Sequence, residues 1–126
     1  MKRILIIDDE KRICQLYTSL LMDEGFKVRS ASGATEAIGL LIREHFDLVL
    51  LDINMPRVDG KATYEVVREF DPHMKVIVSS VHPVEEQIQS ILGASAYHEK
   101  VQGVDMLIVK VKEVLKDEQA QNNPHS

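Results

Sequence analysis

Cysteine, tryptophan and long apolar runs are nearly or wholly absent from this 126-residue sequence, and each absence excludes a class of protein. The single cysteine, Cys14, has no partner in the chain, which excludes a secreted fold held together by internal disulfides. No apolar run approaches the roughly 20 residues that span a bilayer. The N-terminal run at 4–7 is too short for a secretory signal. We therefore expect a cytoplasmic protein that does not enter the membrane.

An excess of basic charge is also missing. The chain has 15 Lys and Arg against 20 Asp and Glu, a net charge of −5, and this argues against direct binding to nucleic acid. Its 44% hydrophobic and 28% charged residues are ordinary for a globular domain, and its length suits one domain. We predict a domain at 1–116, followed by a polar tail or the start of a linker at 117–126.

Short apolar runs alternate five times with amphipathic stretches along the chain. The runs predict strands at about 4–7, 27–30, 48–51, 76–78 and 96–99, and the second and fifth are polar enough to be sheet edges. Apolar residues at helical spacing lie between them, and we expect them to face the core; they include Leu16, Tyr17, Ile42, Phe70 and Leu92. The alternation predicts an α/β fold, a doubly wound (βα)5 sandwich with a five-stranded parallel sheet.

Ionisable and hydroxyl side chains follow the predicted strands. Ligands of such sheets bind at the carboxyl ends of the strands, so these residues are the candidate site. They are Asp8 and Asp9 after the first strand, Asp52 after the third, Ser79 and Ser80 after the fourth, and Tyr97 and Lys100 at the fifth. Each has an ordinary structural interpretation as a helix cap, a strand-end hydroxyl, an edge aromatic or an exposed lysine.

Three carboxylates in one partly buried place would repel one another unless a cation neutralised them. A small set of hard oxygen ligands favours Mg²⁺, which keeps several waters and often binds phosphate oxygens. Lys100 adds a positive point charge and Ser79 a hydroxyl donor, both suited to an anionic ligand. The combination therefore predicts a site for a divalent metal and a phosphoryl group.

This pattern resembles the receiver domain of the bacterial two-component response regulators, of the chemotaxis type. The matching residues are the acidic pair at 8–9, the segment DINMPRVDG at 52–60, Ser79, and the segment GASAYHEK at 93–100. The resemblance covers about 2–115 and implies a flavodoxin-like sheet of strand order 2-1-3-4-5. It fits either a stand-alone receiver or a fragment of a longer regulator.

The resemblance implies roles for the site residues. Asp52 is the phosphoacceptor and takes the phosphoryl group from a phosphohistidine of a sensor histidine kinase or a histidine phosphotransfer protein. Asp9 and Asp52 bind Mg²⁺, or Mn²⁺ as a substitute, through carboxylate oxygens, and the backbone carbonyl of Asn54 completes the protein ligands. Asp8 acts on the metal through a bound water. The phosphoryl group is bound by Lys100, Ser79 and the backbone amide of Ser80.

The resemblance also implies a switch and its readers. Ser79 and Tyr97 form the switch pair, which reshapes the surface of helix four, strand five and helix five for a downstream protein or a lost output domain. The chain is then a phosphoacceptor and not a turnover enzyme, and it is a monomer or weak dimer. Three residues depart from the common pattern: Val101 replaces a proline after the lysine, Ser79 replaces threonine, and Ser80 replaces a small apolar residue.

Other functions were compared with this one. A haloacid dehalogenase-type phosphatase needs a second acid two residues after its nucleophile, where this chain has Asn54. An FMN carrier needs a hydroxyl- and glycine-rich first loop, and the acidic residues 8–10 would repel its phosphate. A receiver-like interaction module that works without phosphorylation stays open as the alternative.

Overall fold

A computed structural model of the chain describes residues 1–53 and 60–121, with backbone only at 117–121. Five strands alternate with five α-helices in this part of the chain. A single 3₁₀ turn, Lys100–Gln102, separates the last strand from the last helix. In chain order the elements are β1 Arg3–Ile7, α1 Lys11–Asp23, β2 Lys27–Ala31, α2 Ala34–Arg43, β3 Leu48–Asp52, α3 Gly60–Phe70, β4 Lys75–Ser80, α4 Val84–Ser90, β5 Ala96–Glu99 and α5 Val104–Gln121.

The five strands form one parallel sheet in the order β2-β1-β3-β4-β5, which confirms the predicted α/β fold and strand order. The register places Ile7 beside Leu51 and Asp52 beside Ser79. The carboxyl ends of the three central strands therefore lie at one edge of the sheet. The order reverses between β1 and β3, and that position is where such sheets bind their ligands.

The central strands are apolar on both faces because helices cover both sides of the sheet. Leu5, Val49 and Val76 belong to the core on the side of α2, α3 and α4. Ile6, Leu50 and Ile77 belong to the core on the side of α1 and α5. Side chains alternate between the two sides along each strand, so a strand-end residue faces the same side as the residue two positions before it.

Several residues of the predicted core-facing stripes are exposed. Leu16 is 47% exposed, Phe70 45% and Leu92 73%, and Ile42 is exposed as well. Thr63 and Gln87 are buried instead. Helical spacing marks a stripe but not its exact direction, and α4 ends at Ser90, so Leu92 lies beyond the helix. Residues at the flanks of the stripes in α1, α2 and α3, and Leu92 after α4, were therefore assigned to the wrong environment.

The last helix is longer than predicted. α5 ends at Gln121, whereas the sequence pattern predicted an end near Lys116 and a polar tail from 117. Polar residues in this stretch are good helix formers, so the loss of the apolar pattern does not end the helix. Among the helices that the structure describes, none is long and apolar enough to cross a bilayer.

Gly60 begins α3 at a close approach of two backbone segments. A Cβ at this position would lie 2.6 Å from the Cα of Ile53, a distance that forces the backbone to move. We expect Gly60→Ala to lower the free energy of unfolding by about 2 kcal/mol, the usual cost of overpacking. Urea denaturation followed by circular dichroism measures this.

Gly39 provides the matched control for that substitution. It lies inside α2, and a Cβ there would meet no atom within 4 Å. Gly39→Ala should stabilise the protein by about 0.5–1 kcal/mol, because alanine loses less backbone entropy in a helix than glycine. Equal effects of the two substitutions would contradict the close approach at Gly60.

Candidate functional site

Two buried carboxylates lie side by side at the carboxyl edge of the sheet. Asp8 directly follows β1 and Asp52 is the last residue of β3, and they are only 3% and 6% exposed. Two residues before them, Ile6 and Leu50 face α1 and α5, so the alternation of a strand directs both carboxylates to that same side. The sheet therefore brings together two of the acidic residues that the sequence predicted.

Asp8 is fixed by the chain around it. Its backbone N–H donates to the Ala31 carbonyl at 3.0 Å, and its Oδ1 accepts the Glu10 N–H at 2.9 Å. Burial raises the pKa of Asp8 to about 7, and hydrogen bonding with Asp52 and its negative charge contribute to the rise. The Glu10 N–H and the Lys100 ammonium act in the opposite direction. A buried pair of this kind favours any cation that enters the site.

Lys100 supplies the opposite charge. Its Nζ lies 2.7 Å from Asp52 Oδ2, and its side chain is 18% exposed. Burial by itself lowers the pKa of Lys100, but the hydrogen bond and the charge of Asp52, together with Asp8, raise it overall. The Lys100–Val101 peptide bond is trans, as are all the described peptide bonds, and the lysine reaches Asp52 without the proline common at position 101.

The last two residues of β4, Ser79 and Ser80, have different surroundings. Ser79 is 1% exposed, and its Oγ has no hydrogen-bond partner within the described residues. Ser80 is fully buried, and its Oγ accepts the His82 N–H at 3.0 Å. Ser79 pairs with Asp52 in the sheet, so its hydroxyl is the one that stands beside the carboxylates.

Tyr97 lies on the other side of the sheet from the carboxylates. Its ring is half-buried against the core of α2, α3 and α4. The hydroxyl donates to the Ile91 carbonyl and accepts the Ala94 N–H at 3.3 Å, which joins β5 to the segment after α4. Lys110 of α5 donates to the Tyr97 carbonyl at 2.7 Å. Tyr97 thus connects the three elements of the predicted switch surface.

The residues present suit a hard divalent cation. Asp8 and Asp52 offer carboxylate oxygens in a place where two negative charges require compensation, and oxygen ligands are those that Mg²⁺ prefers. Asp9 is partly exposed beside them. Asn54, the fourth predicted ligand, lies outside the described residues. Within 1–53 and 60–121, no group of three or more acidic, histidine or cysteine side chains is arranged as a metal centre.

Two polar side chains near this site were not predicted. Tyr17 of α1 lines a narrow space together with Asp8, Asp52, Ser79 and Lys100. The signal available in the sequence was helical spacing: Tyr17 lies one turn after Cys14, so both side chains lie on the same face of α1. The Cys14 Sγ donates to the Asp8 carbonyl at 3.2 Å, which places that face beside the site. His98 of β5 is fully buried beside Ser79 in the sheet, and nothing in a four-residue strand pattern revealed that burial.

Comparisons of the sequence with a family model and with known proteins all identify the same family. The model of the response regulator receiver domain family matches residues 4–112. An NtrX-like response regulator from Rickettsia bellii is 34% identical over 113 residues, which cover 86% of this chain but 24% of that protein. The transcriptional regulatory protein ZraR from Klebsiella oxytoca is 31% identical over 125 residues, covering 96% of this chain and 28% of that protein. The chain thus spans about a quarter of the length of these relatives.

Solved structures agree in fold. The response regulator TrrA from Thermotoga maritima, in complex with Mg²⁺ and BeF, is 32% identical with a TM-score of 0.81 over 90% of this chain and 99% of that one. A CheY-like receiver domain from Methanospirillum hungatei is 31% identical with a TM-score of 0.84, over 96% of this chain and 98% of that one. With the family model matched over most of its length, this chain belongs to the response regulator receiver domain family.

Proposed function

We propose that Asp52 accepts a phosphoryl group from a phosphohistidine of a sensor histidine kinase or a histidine phosphotransfer protein. The observation that carries this proposal is the contact of the Lys100 ammonium with Asp52 Oδ2, at 2.7 Å, beside the second buried carboxylate of Asp8. An ionised carboxylate held beside a cation is a suitable nucleophile for phosphorus. A solved relative that holds Mg²⁺ and BeF supports the same chemistry.

The reaction forms a bond between an Asp52 oxygen and phosphorus and breaks the bond between phosphorus and the histidine nitrogen. Catalysis of such a transfer is mainly positioning and neutralisation of charge on the phosphoryl oxygens. Lys100 is placed to exchange its contact with Asp52 for a phosphoryl oxygen, and Ser79 can donate its unpartnered hydroxyl. The backbone N–H of Ser80 is a further donor in this proposal.

The same proposal includes a divalent metal. Asp8 and Asp52 would hold Mg²⁺, or Mn²⁺ in its place, with Asp9 and the backbone carbonyl of Asn54 as further ligands. The bound ion would neutralise the carboxylates and the phosphoryl oxygens. The task of Asp8 is then to keep its carboxylate directed at the cation, and the Glu10 N–H bond to Oδ1 fixes that direction.

The switch is proposed to run from Ser79 to Tyr97. Movement of the Ser79 hydroxyl toward a phosphoryl group would shift β4 at its end, and Tyr97 ties the neighbouring β5 to the end of α4. Ile88, Leu92, Met106 and Val109 are exposed apolar residues on or next to α4 and α5, which suits a surface that meets a protein. The partner is a downstream protein or an output domain, and the output domain is favoured by the greater length of the relatives.

Intact mass after incubation with acetyl phosphate tests the proposed phosphoacceptor. We expect a gain of one phosphoryl group with Mg²⁺ present, none with a chelator, and a modified peptide that contains Asp52. Borohydride reduction of the acyl phosphate before digestion would locate the site. No gain with any divalent metal would overturn the proposal and favour an interaction module that works without phosphorylation.

A further inference from the structure

Tyr17 is a polar residue in a position where a helix normally supplies an apolar one. It lies on the inner face of α1, is 7% exposed and packs in the core between that helix and the sheet. Leucine or phenylalanine would fill such a place without burying a hydroxyl. A buried tyrosine hydroxyl usually has a polar partner, so its surroundings decide what it does.

Tyr17 lies on the buried side of the proposed phosphoacceptor site. Tyr17 lines a narrow space with Ile6, Leu50 and the four polar residues Asp8, Asp52, Ser79 and Lys100. The space leaves no room for a water molecule. Any polar contact made there must therefore be direct, from one side chain to another.

The pKa of the Tyr17 phenol reflects the same four polar residues. Burial raises the pKa of the Tyr17 phenol, Lys100 lowers it, and Asp52 and Asp8 raise it. The nearby Ser79 hydroxyl lowers it as well. In return, Tyr17 is among the groups that raise the pKa of Lys100.

Ser79 is the neighbour that lacks a partner. Lys100 is engaged with Asp52, and Asp8 accepts the Glu10 N–H, while Ser79 Oγ has no hydrogen-bond partner within the described residues. Tyr17 lines the same narrow space, and Ser79 influences the pKa of its phenol, so Tyr17 is the group placed to direct this hydroxyl. Serine is also less restricted in χ1 than the threonine common at this position, so its hydroxyl needs an outside group to direct it.

We propose that Tyr17 is a positioning residue, which acts through its hydroxyl to hold the Ser79 hydroxyl in the direction of the phosphoryl group on Asp52. This inference rests on the proposed function. Tyr17 forms and breaks no covalent bond and transfers no proton. It selects one rotamer of Ser79 from the buried side, a task that a β-branched threonine would perform by itself.

A double-mutant cycle on the rate of phosphorylation by acetyl phosphate and Mg²⁺ tests the inference. The four proteins are wild type, Tyr17→Phe, Ser79→Ala and the double variant. We expect Tyr17→Phe to slow the reaction about 3- to 10-fold, the effect of one directed hydrogen bond. In the Ser79→Ala background the same change should slow it less than about twofold, because the hydroxyl it directs is gone.

Tyr64→Phe is the matched control. Tyr64 is equally buried, on the other side of the sheet, and its hydroxyl accepts a hydrogen bond from Arg68 Nε at 2.8 Å. Loss of the Tyr64 hydroxyl should leave the phosphorylation rate within about twofold of wild type. Urea denaturation of all variants confirms that each is folded under the assay conditions.

The outcomes are distinct. An equal slowing by Tyr17→Phe in both backgrounds would assign Tyr17 a packing role and overturn the inference, as would a wild-type rate for the single variant. A signal from tyrosine labelled with ¹³C at Cζ gives a second readout without any phosphodonor, since the Tyr17 resonance should move in Ser79→Ala while that of Tyr64 stays. A wild-type protein that takes no phosphoryl group at all would overturn the proposed function, and the inference with it.

Discussion

Replacement of Asp52 by asparagine should abolish the gain of a phosphoryl group from acetyl phosphate and Mg²⁺. An amide of the same shape keeps an oxygen near Lys100 but has no nucleophile, so the rate should fall by at least about 100-fold, as when other covalent nucleophiles are removed. Asp52 is 6% exposed and is the carboxylate that Lys100 contacts, at 2.7 Å. Intact mass against time measures the loss.

Asp23→Asn is the matched control for that experiment. Asp23 is the exposed last residue of α1, at the opposite end of the helix from Asp8 and Asp52. The same change of one charge should leave the rate within about twofold of wild type. Modification of Asp52→Asn at a wild-type rate would mean that another residue is the phosphoacceptor.

His98→Leu should stabilise the protein, and most strongly in acid. His98 is fully buried on β5, and neither ring nitrogen has a hydrogen-bond partner within the described residues. Burial lowers the pKa of His98 to about 4, and the charges of Lys110 and Lys100 act in the same direction against that of Glu99. Leucine removes the unpaired polar atoms, which should raise the free energy of unfolding at pH 7 by about 1–2 kcal/mol.

The pH dependence follows from proton linkage. Between pH 6.5 and about 4 the unfolded chain binds a proton at His98 and the native protein does not, so native stability falls as pH falls through this range. A pKa of about 4 against 6.5 corresponds to roughly 3 kcal/mol, and the loss is complete below pH 4, where both states are protonated. His98→Leu should remove this loss, so the two stability curves diverge toward acid.

Urea denaturation of wild type and His98→Leu across pH 4 to 8, roughly the interval over which histidine titrates here, measures the divergence. Taking the difference between the proteins is necessary because Asp8, with its pKa raised to about 7, changes stability in the opposite direction. His73→Leu is the control, since the His73 side chain is exposed. Parallel curves for His98→Leu and wild type would show that His98 is solvated in the native protein.

The positions of the strands, and of the polar residues at their ends, could be predicted from the sequence. Apolar runs such as 4–7 and 48–51, short and rich in branched residues, are typical of buried strands, and a parallel sheet then brings Asp8, Asp52 and Ser79 to one edge. The roles of Asp9 and Asn54 in a metal site stay predictions. Exposure at the flanks of the helices was predicted wrongly at Phe70 and Leu92, because spacing along a helix does not say where the neighbouring elements stop.

The sequence by itself determined the fold class, the order of the elements and the acidic, hydroxyl and lysine residues that meet at the sheet edge, because these follow from local periodicity and from strand alternation. The tertiary structure decided which other side chains surround these residues and how deeply each one is buried. Only the packing of α1 against the sheet brings the Tyr17 hydroxyl under Ser79, and only the cover over β5 buries His98 without a partner. Burial and the pKa of a group depend on every element packed against it, and no single segment of the chain contains that information.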